Sequence, residues 1–271
     1  MTNGLAKVDL MSQRTDAVAA FVNHHVADRV VMKLPFDSIT IPFTQVEIPF
    51  FVTLHGMMLL LTAFLMIVVF GFLYKKRDGA PRGITNLLEI FVLFIRDEIC
   101  IQYLGKSDGL KMTPIFCSFF FFILFANLIG LVPCFGAATG NLSVTCALAL
   151  ISFFFMVFGG IYKNGLVGFF KGFIPHGVPW PVLLLLVPVE VAGLFIKTVA
   201  LMIRLFANMM AGHMVIFFMI GLLLILGAWG LPFMVMAFGI FIMEIFVSLL
   251  QAYIFTLLSA VFIGERYHSE H

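Results

Sequence analysis

Residues 181–226 read PVLLLLVPVEVAGLFIKTVALMIRLFANMMAGHMVIFFMIGLLLIL, and this stretch decides the fold. It is nearly uninterrupted, helix-compatible apolar sequence, and it starts with a proline, which is favourable in the first turn of a helix. At 1.5 Å per residue such a helix is roughly 65 Å long, about twice the hydrocarbon core of a bilayer. In a membrane it must therefore tilt strongly, kink or split. The sequence GAWGLP at 227–232 is a strong break, and a second long run then reaches Gly264.

The whole chain has the composition of a membrane protein. Of its 271 residues, 62% are hydrophobic and 11% are charged, whereas about 25% of the residues of soluble domains are charged. This composition, with a mean hydropathy of +1.12, excludes a water-soluble fold with a polar exterior. The net charge of +2 comes without a basic cluster beyond short loops, so we expect no nucleic-acid partner. The four cysteines lie far apart without metal-ligand spacing, and we expect neither a metal nor a cofactor.

The pattern of apolar runs predicts an all-α membrane protein with about five membrane-inserted helices and one interfacial amphipathic helix. The last two helices are long and strongly tilted, and we expect them to form a hairpin. The predicted spans are 48–74, 112–133, 142–162, 181–226 and 232–264. Residues 84–104 contain Glu89, Arg96, Asp97 and Glu98, which a spanning helix would have to bury, so we expect the interfacial helix there. The sequence shows no internal repeat of the kind found in secondary transporters.

The sequence also predicts an orientation. Residues 1–47 read as a polar segment before a single membrane domain at 48–271, and the first thirty residues lack the apolar core of a cleavable signal peptide. The mild amphipathicity of AAFVNHHVADRVVMKL at 19–34 suggests a short interfacial helix. The cationic loop KKRDGAPR at 75–82 lies on the cytoplasmic side by the positive-inside rule. We therefore expect the N-terminus outside and the C-terminus in the cytoplasm.

Ionisable side chains interrupt the last two apolar runs. They are Glu190, Lys197, Arg204, His213 and Glu244. A charge at the centre of a membrane helix costs roughly 2.5–3.5 kcal/mol, so each group needs a partner, a water-filled cavity or a function. Alternatively, Glu190 and Lys197 lie near a helix end, and their long side chains extend to the membrane surface without any functional role. For Arg204 that alternative is weaker, because apolar sequence continues on both sides of it.

The spacing of these side chains places them on one face of each helix. Glu190, Lys197 and Arg204 are seven residues apart, and Asn208 follows four residues later on the same stripe. When the two helices fold back at 227–232, Arg204 comes to face Gln251.

The same fold-back brings His213 and Glu244 together nearer the turn. Histidine and glutamate can both exchange protons near neutrality when burial and mutual attraction tune them. Arginine stays protonated, so Arg204 would act as a fixed cation that blocks a proton leak and attracts a carboxylate. The pattern thus predicts two proton paths separated by a barrier, with Glu190 toward the cytoplasm and the histidine–glutamate pair toward the outside.

The motifs resemble those of a known family. The run ALMIRLFANMMAGHM at 200–214 with QAYIFTLLSAVFIGE at 251–265 strongly resembles subunit a of the F-type ATP synthase. The stretches ILFANLIGLVP at 123–133 and VPVEVAGLFIKTVAL at 187–201 extend the resemblance over nearly the whole chain. It implies a non-catalytic stator subunit that works against a rotating ring of c subunits. The implied partners are the c-ring, the b subunits of the peripheral stalk and the lipid bilayer.

The resemblance also implies roles for individual residues. Those implied in proton translocation are Arg204, Glu244, His213, Glu190, Gln251, Asn208 and Lys197. Arg204 corresponds to the essential arginine that meets the ring carboxylates, His213 and Glu244 to the inlet pair, and Glu190 to the outlet acid. Asn127 occupies a polar position of the first inward-facing motif.

Several alternatives stay open at this point. A stand-alone ion channel or secondary transporter could use the same charged helix, and a membrane anchor could keep buried polar groups for packing. The polar head and the bacterial-like first half favour a bacterial inner membrane over a mitochondrial one. The choice between protons and sodium ions is made largely by the ion site of the ring, outside this chain.

Overall fold

The structure, a computed structural model, describes residues 15–16, 30–33, 39–40, 47–48, 51–73, 83–132, 137–173 and 180–267. Four short strands precede the first helix: β1 Val30–Lys33, β2 Ile39–Thr40, β3 Glu47–Ile48 and β4 Phe51–Thr53. Strand β1 pairs antiparallel with β4, and β2 pairs antiparallel with β3. Most of the helix suggested at 19–34 lies outside the described residues, and its described end is strand β1.

Helices make up nearly all of the rest of the described chain. They are α1 Leu54–Val68, α2 Ile84–Phe94, α3 Gln102–Gly130, α4 Leu142–Lys171, α5 Trp180–Leu226 and α6 Leu231–Tyr267. A π-helical segment extends α1 over Val69–Leu73, and another joins α2 to α3 over Ile95–Ile101. Short 3-10 turns lie at Ala138–Gly140 and Gly227–Gly230.

Four helical runs of the described chain are long and apolar enough to cross a membrane. They are Thr85–Gly130, Leu142–Lys171, Val182–Leu226 and Leu231–Tyr267, with the shorter apolar helix His55–Gly71 before them. Large apolar side chains on these runs are exposed, such as Leu184 and Val235. Because lipid tails are as apolar as these side chains, an exposed apolar surface is stable in a bilayer but not in water. The predicted helical membrane fold is confirmed.

Glycines interrupt or end the long helices where the backbone leaves the helical region. Gly105, with φ 78°, interrupts α3, and Gly165, with φ 71°, interrupts α4. Gly227 has φ 60° and follows the last residue of α5. Glycine takes this left-handed conformation without the steric cost that a Cβ brings, which explains why α5 stops there.

The first predicted span differs from the structure at its start. The prediction begins at residue 48, whereas α1 begins at Leu54, after strands β3 and β4. Pro49 disfavours the helical region for the residue before it, and the β-branched and aromatic residues that follow suit an extended backbone.

The chain divides into two compact units. The first comprises residues 1–63, 126–141 and 207–248, and the second comprises 64–125, 142–206 and 249–271. The second unit has an aromatic core, in which Phe116, Phe120 and Phe255 are fully buried. In the same unit, helices α4 and α6 are joined by a buried hydrogen bond of 2.9 Å between the hydroxyl groups of Ser152 and Ser259.

Candidate functional site

The first unit brings His213 and Glu244 together. Nδ1 of His213 lies 3.2 Å from Oε1 of Glu244, and the two side chains are 16% and 6% exposed. His213 is on α5 and Glu244 on α6, so this ion pair joins the last two helices. In the described part of the chain, the two carboxylate oxygens of Glu244 are buried without a hydrogen bond. The imidazole of His213 is therefore the ionic contact of this carboxylate.

Two backbone carbonyls also contact the His213 ring. Nε2 lies 2.8 Å from the carbonyl oxygen of Gly130, and Nδ1 lies 3.1 Å from that of Met209. A neutral imidazole has one N–H group, whereas an imidazolium has two. The charged ring can donate to both carbonyls at once, and the neutral ring to one. The two carbonyl groups and the Glu244 carboxylate therefore favour the imidazolium form of His213.

A cavity of about 50 Å³ lies beside this pair. Besides His213 and Glu244, its lining is apolar: Leu131, Val132, Ile216, Phe217, Ile220 and Phe241. Its volume exceeds the roughly 10–15 Å³ that one water molecule needs. Water in the cavity could donate to the carboxylate oxygens that lack a hydrogen bond.

A glycine and a buried hydrogen bond lie close to the pair. A Cβ added at Gly212 would collide with the Glu244 carboxylate, so glycine allows the close approach of this side chain to α5. Asn127 is buried, and its Oδ1 accepts a hydrogen bond of 2.6 Å from Thr139. This bond ties the end of α3, which includes Gly130, to the 3-10 turn at Ala138–Gly140.

Arg204 lies in the second unit and is exposed. Within the part of the chain that the structure describes, its side chain makes no hydrogen bond or ion pair. Gln251, in the same unit, is 4% exposed, and its Nε2 is buried without a hydrogen-bond partner among the described residues. The expected facing of these two residues stays a prediction, because no hydrogen bond joins them. Asn208 is half-buried in the first unit.

The other ionisable residues of α5 pair with the C-terminal end of α6. Oε1 of Glu190 accepts a hydrogen bond of 2.6 Å from Nη2 of Arg266, and Nζ of Lys197 lies 2.6 Å from Oε2 of Glu265. Lys197 also lies 5.4 Å from the centre of the Phe262 ring. The two acids and two cations thus form two ion pairs within the second unit.

Sequence reasoning missed several of these groups. The same fold-back at 227–232 that brings His213 to Glu244 also places Arg266 opposite Glu190. Arg266 lies beyond the apolar run that ends at Gly264, so it does not stand out as a charge inside a span. The carbonyl contacts of Gly130 and Met209 leave no signal in the sequence, because every residue carries a carbonyl group.

These features define a class of protein: a helical membrane protein with ionisable groups inside its spans, one pair of them beside a cavity. The ATP synthase A chain family matches residues 56–264. ATP synthase subunit a of Myxococcus xanthus is 45% identical over 81% of this chain and 76% of the relative. The one of Chlorobium phaeobacteroides is 40% identical over 90% and 74%. The one of Anaeromyxobacter dehalogenans is 45% identical over 77% of this chain and 55% of the relative, so the match spans about half of that longer protein.

The chain belongs to the ATP synthase A chain family. It is therefore a non-catalytic, proton-translocating subunit of the membrane sector of an ATP synthase, and an integral bacterial membrane protein. The family that the sequence motifs indicated is confirmed.

Proposed function

We propose that this chain provides two proton half-channels to a ring of c subunits, separated by Arg204. The inlet path passes Glu244 and His213, and the outlet path passes Glu190. Along helix α5, Glu190, Arg204 and His213 follow one another in that order. Each path thus has its own titratable groups. Arg204, which is permanently charged, lies between Glu190 and His213 along the helix.

The observation that carries this proposal is the state of Arg204. The guanidinium is exposed and has no hydrogen bond or ion pair among the described residues. A cation in an apolar helix needs a counter-charge, and Arg204 cannot become neutral at physiological pH. A carboxylate on a neighbouring c subunit supplies that counter-charge. The cation also repels protons, which prevents a direct leak between the two paths.

The half-channels convert proton flow into rotation. A proton that enters past the His213–Glu244 pair neutralises a ring carboxylate, and the neutral site can then move into lipid, where an ionised site is costly. After nearly a full turn the site meets Arg204, and its proton leaves toward Glu190. Each proton that crosses 100 mV supplies about 2.3 kcal/mol.

The proposal extends to partners and orientation. The c-ring contacts the face that carries Arg204, and b subunits of a peripheral stalk hold the chain stationary. The N-terminus lies outside and the C-terminus in the cytoplasm, in agreement with the cationic residues at 75–82.

The test is Arg204→Ala in the assembled ATP synthase, reconstituted into vesicles. We expect ATP-driven proton pumping to be abolished, because the counter-charge and the barrier disappear together, and passive proton leak to rise. Arg96→Ala is the matched control, since Arg96 is an arginine that pairs with its neighbour Asp97, and it should pump normally. Pumping at the normal rate by the Arg204→Ala complex would overturn the proposal.

A further inference from the structure

Arg266, the hydrogen-bond partner of Glu190, is buried. Arg266 is 4% exposed, although it lies near the C-terminal end of α6. Its guanidinium carbon is 4.5 Å from the centre of the Phe173 ring, a distance suited to a cation–π contact. Its backbone carbonyl accepts a hydrogen bond of 2.8 Å from Nδ2 of Asn164. The guanidinium is therefore buried, against the Phe173 ring and in hydrogen-bond contact with Glu190.

Among the described residues, Glu190 is a carboxylate paired with this cation. Lys197 pairs with Glu265, and Lys163 pairs with Asp108. Each of these pairs is neutral as a whole. The side chain of Glu190 is 38% exposed, and its Oε1 accepts the hydrogen bond from Arg266.

We propose that Arg266 is a positioning residue that makes Glu190 a fast proton-release group. The inference rests on the outlet role of Glu190 proposed above. When a proton binds to Glu190, the carboxylate charge is neutralised. Arg266, a buried cation, then lacks this counter-charge, which is unfavourable. The carboxyl group therefore gives its proton to water on the cytoplasmic side. The carboxylate that remains accepts the Arg266 hydrogen bond again and is ready for the next proton.

The same contact sets the rotamer of Glu190. A guanidinium is planar and donates in fixed directions, so it holds a carboxylate in a defined place. Proton release depends on the positive charge, which lysine keeps, although lysine donates from a flexible stem and does not fix the rotamer. Arg266→Lys should therefore retain most of the effect on proton release, and Arg266→Gln, which removes the charge, should lose it.

ATP synthesis in inverted membrane vesicles tests the proposal, because the cytoplasmic side then faces the medium and its pH can be varied. We expect Arg266→Gln to lower ATP synthesis about tenfold at neutral outer pH, and a higher outer pH should restore it. Arg266→Lys should stay close to the parent protein. ATP hydrolysis by the detergent-solubilised complex at each pH corrects for the catalytic sector.

Lys163→Gln is the matched control, because it removes a cation from an exposed ion pair with Asp108 and leaves Glu190 untouched. Its synthesis should depend on outer pH as in the parent protein. A pH profile of Arg266→Gln that coincides with that of the parent would overturn the inference. So would a shift of equal size in Lys163→Gln, since the effect would then not depend on Glu190.

Two further variants separate this inference from the proposed outlet role. If Glu190→Gln leaves ATP synthesis unchanged, the outlet role fails. If Glu190→Gln loses synthesis while Arg266→Gln keeps the parent profile, this inference alone fails. The Arg266→Gln variant leaves the Glu190 charge without its partner and could fail to assemble for that reason. The double variant Glu190→Gln/Arg266→Gln has neither charge and avoids this problem. It should behave like Glu190→Gln, whereas additive losses would contradict an action of Arg266 through Glu190.

Discussion

The carbonyl groups around His213 limit what this residue can do during transport. Both of its ring nitrogens have a backbone acceptor, at 2.8 Å from Gly130 and 3.1 Å from Met209. Loss of either ring proton would leave one of these contacts without a donor, which is unfavourable for buried groups. The Glu244 carboxylate has an ionic contact with His213 but no hydrogen-bond donor among the described residues. Protonation of Glu244 therefore breaks no hydrogen bond. We therefore expect Glu244 to be the member of the pair that takes up and gives off the proton.

Glu244→Gln tests this assignment. The amide cannot carry the proton, so we expect ATP synthesis driven by an acid pulse to fall by about tenfold or more, given the size of general acid–base effects. Its dependence on inlet-side pH should also flatten. The measurement is the initial rate of ATP synthesis in inverted vesicles against internal pH. An unchanged rate–pH profile would remove Glu244 from the path.

A glycine beside the pair gives a second prediction at the same scale. The added Cβ of Gly212→Ala would collide with the Glu244 carboxylate, whereas a Cβ at Gly239 on α6 meets nothing within 4 Å. We expect Gly212→Ala to displace Glu244 from His213 and to reduce ATP-driven pumping severalfold, because a small misplacement of a reacting group is costly. Gly239→Ala, the control, should pump normally. Equal pumping by both variants would show that this close approach is unimportant.

At the scale of elements, the Asn127–Thr139 hydrogen bond holds the end of α3 in place. The side chains are 1% and 0% exposed, and the bond is 2.6 Å long. Thr139→Val keeps the shape of the side chain and leaves Asn127 unpaired, which should cost about 1–3 kcal/mol. Because Gly130 lies one turn after Asn127, we also expect reduced pumping. Thr139→Ser keeps the hydroxyl and serves as the control.

Heat stability of proton pumping in vesicles measures this effect. The Thr139→Val complex should lose activity at a lower temperature than the parent and the Thr139→Ser complex. If the valine variant is as stable as the serine variant, the bond is not what holds this turn.

The sequence predicted most of the elements and part of the site. Apolar runs of sufficient length indicated the spans, and the distance of His213 and Glu244 from the turn indicated that the two residues meet. The strands before α1 were not foreseen, because an apolar run alone does not distinguish an extended segment from the first turns of a helix. Arg266 was also missed, since a cation at the end of a helix ordinarily points into water.

At the scale of the whole molecule, the exposed apolar surface has two parts, and we expect each to contact a different partner. Lipid covers an apolar helix face well, but it offers no counter-charge to Arg204. Phe158 on α4 is 61% exposed and is itself apolar, so it needs no counter-charge. Ile203 is 48% exposed and lies next to Arg204, which does need one. We infer that the c-ring covers the surface around Ile203 and Arg204, and that lipid covers the surface around Phe158.

Cysteine crosslinking distinguishes these two covers. In a cysteine-free background, we expect Ile203→Cys to form a disulfide with a cysteine placed near the ring carboxylate, because the proposed ion pair requires a close approach of the ring to Arg204. The crosslink should stop ATP-driven pumping by blocking rotation, and a reducing agent should restore it. Phe158→Cys, at a position that is also exposed but lies away from Arg204 in the sequence, is the control and should give no product. Crosslinking of both cysteines, or of neither, would contradict the assignment of the ring to the arginine-bearing surface.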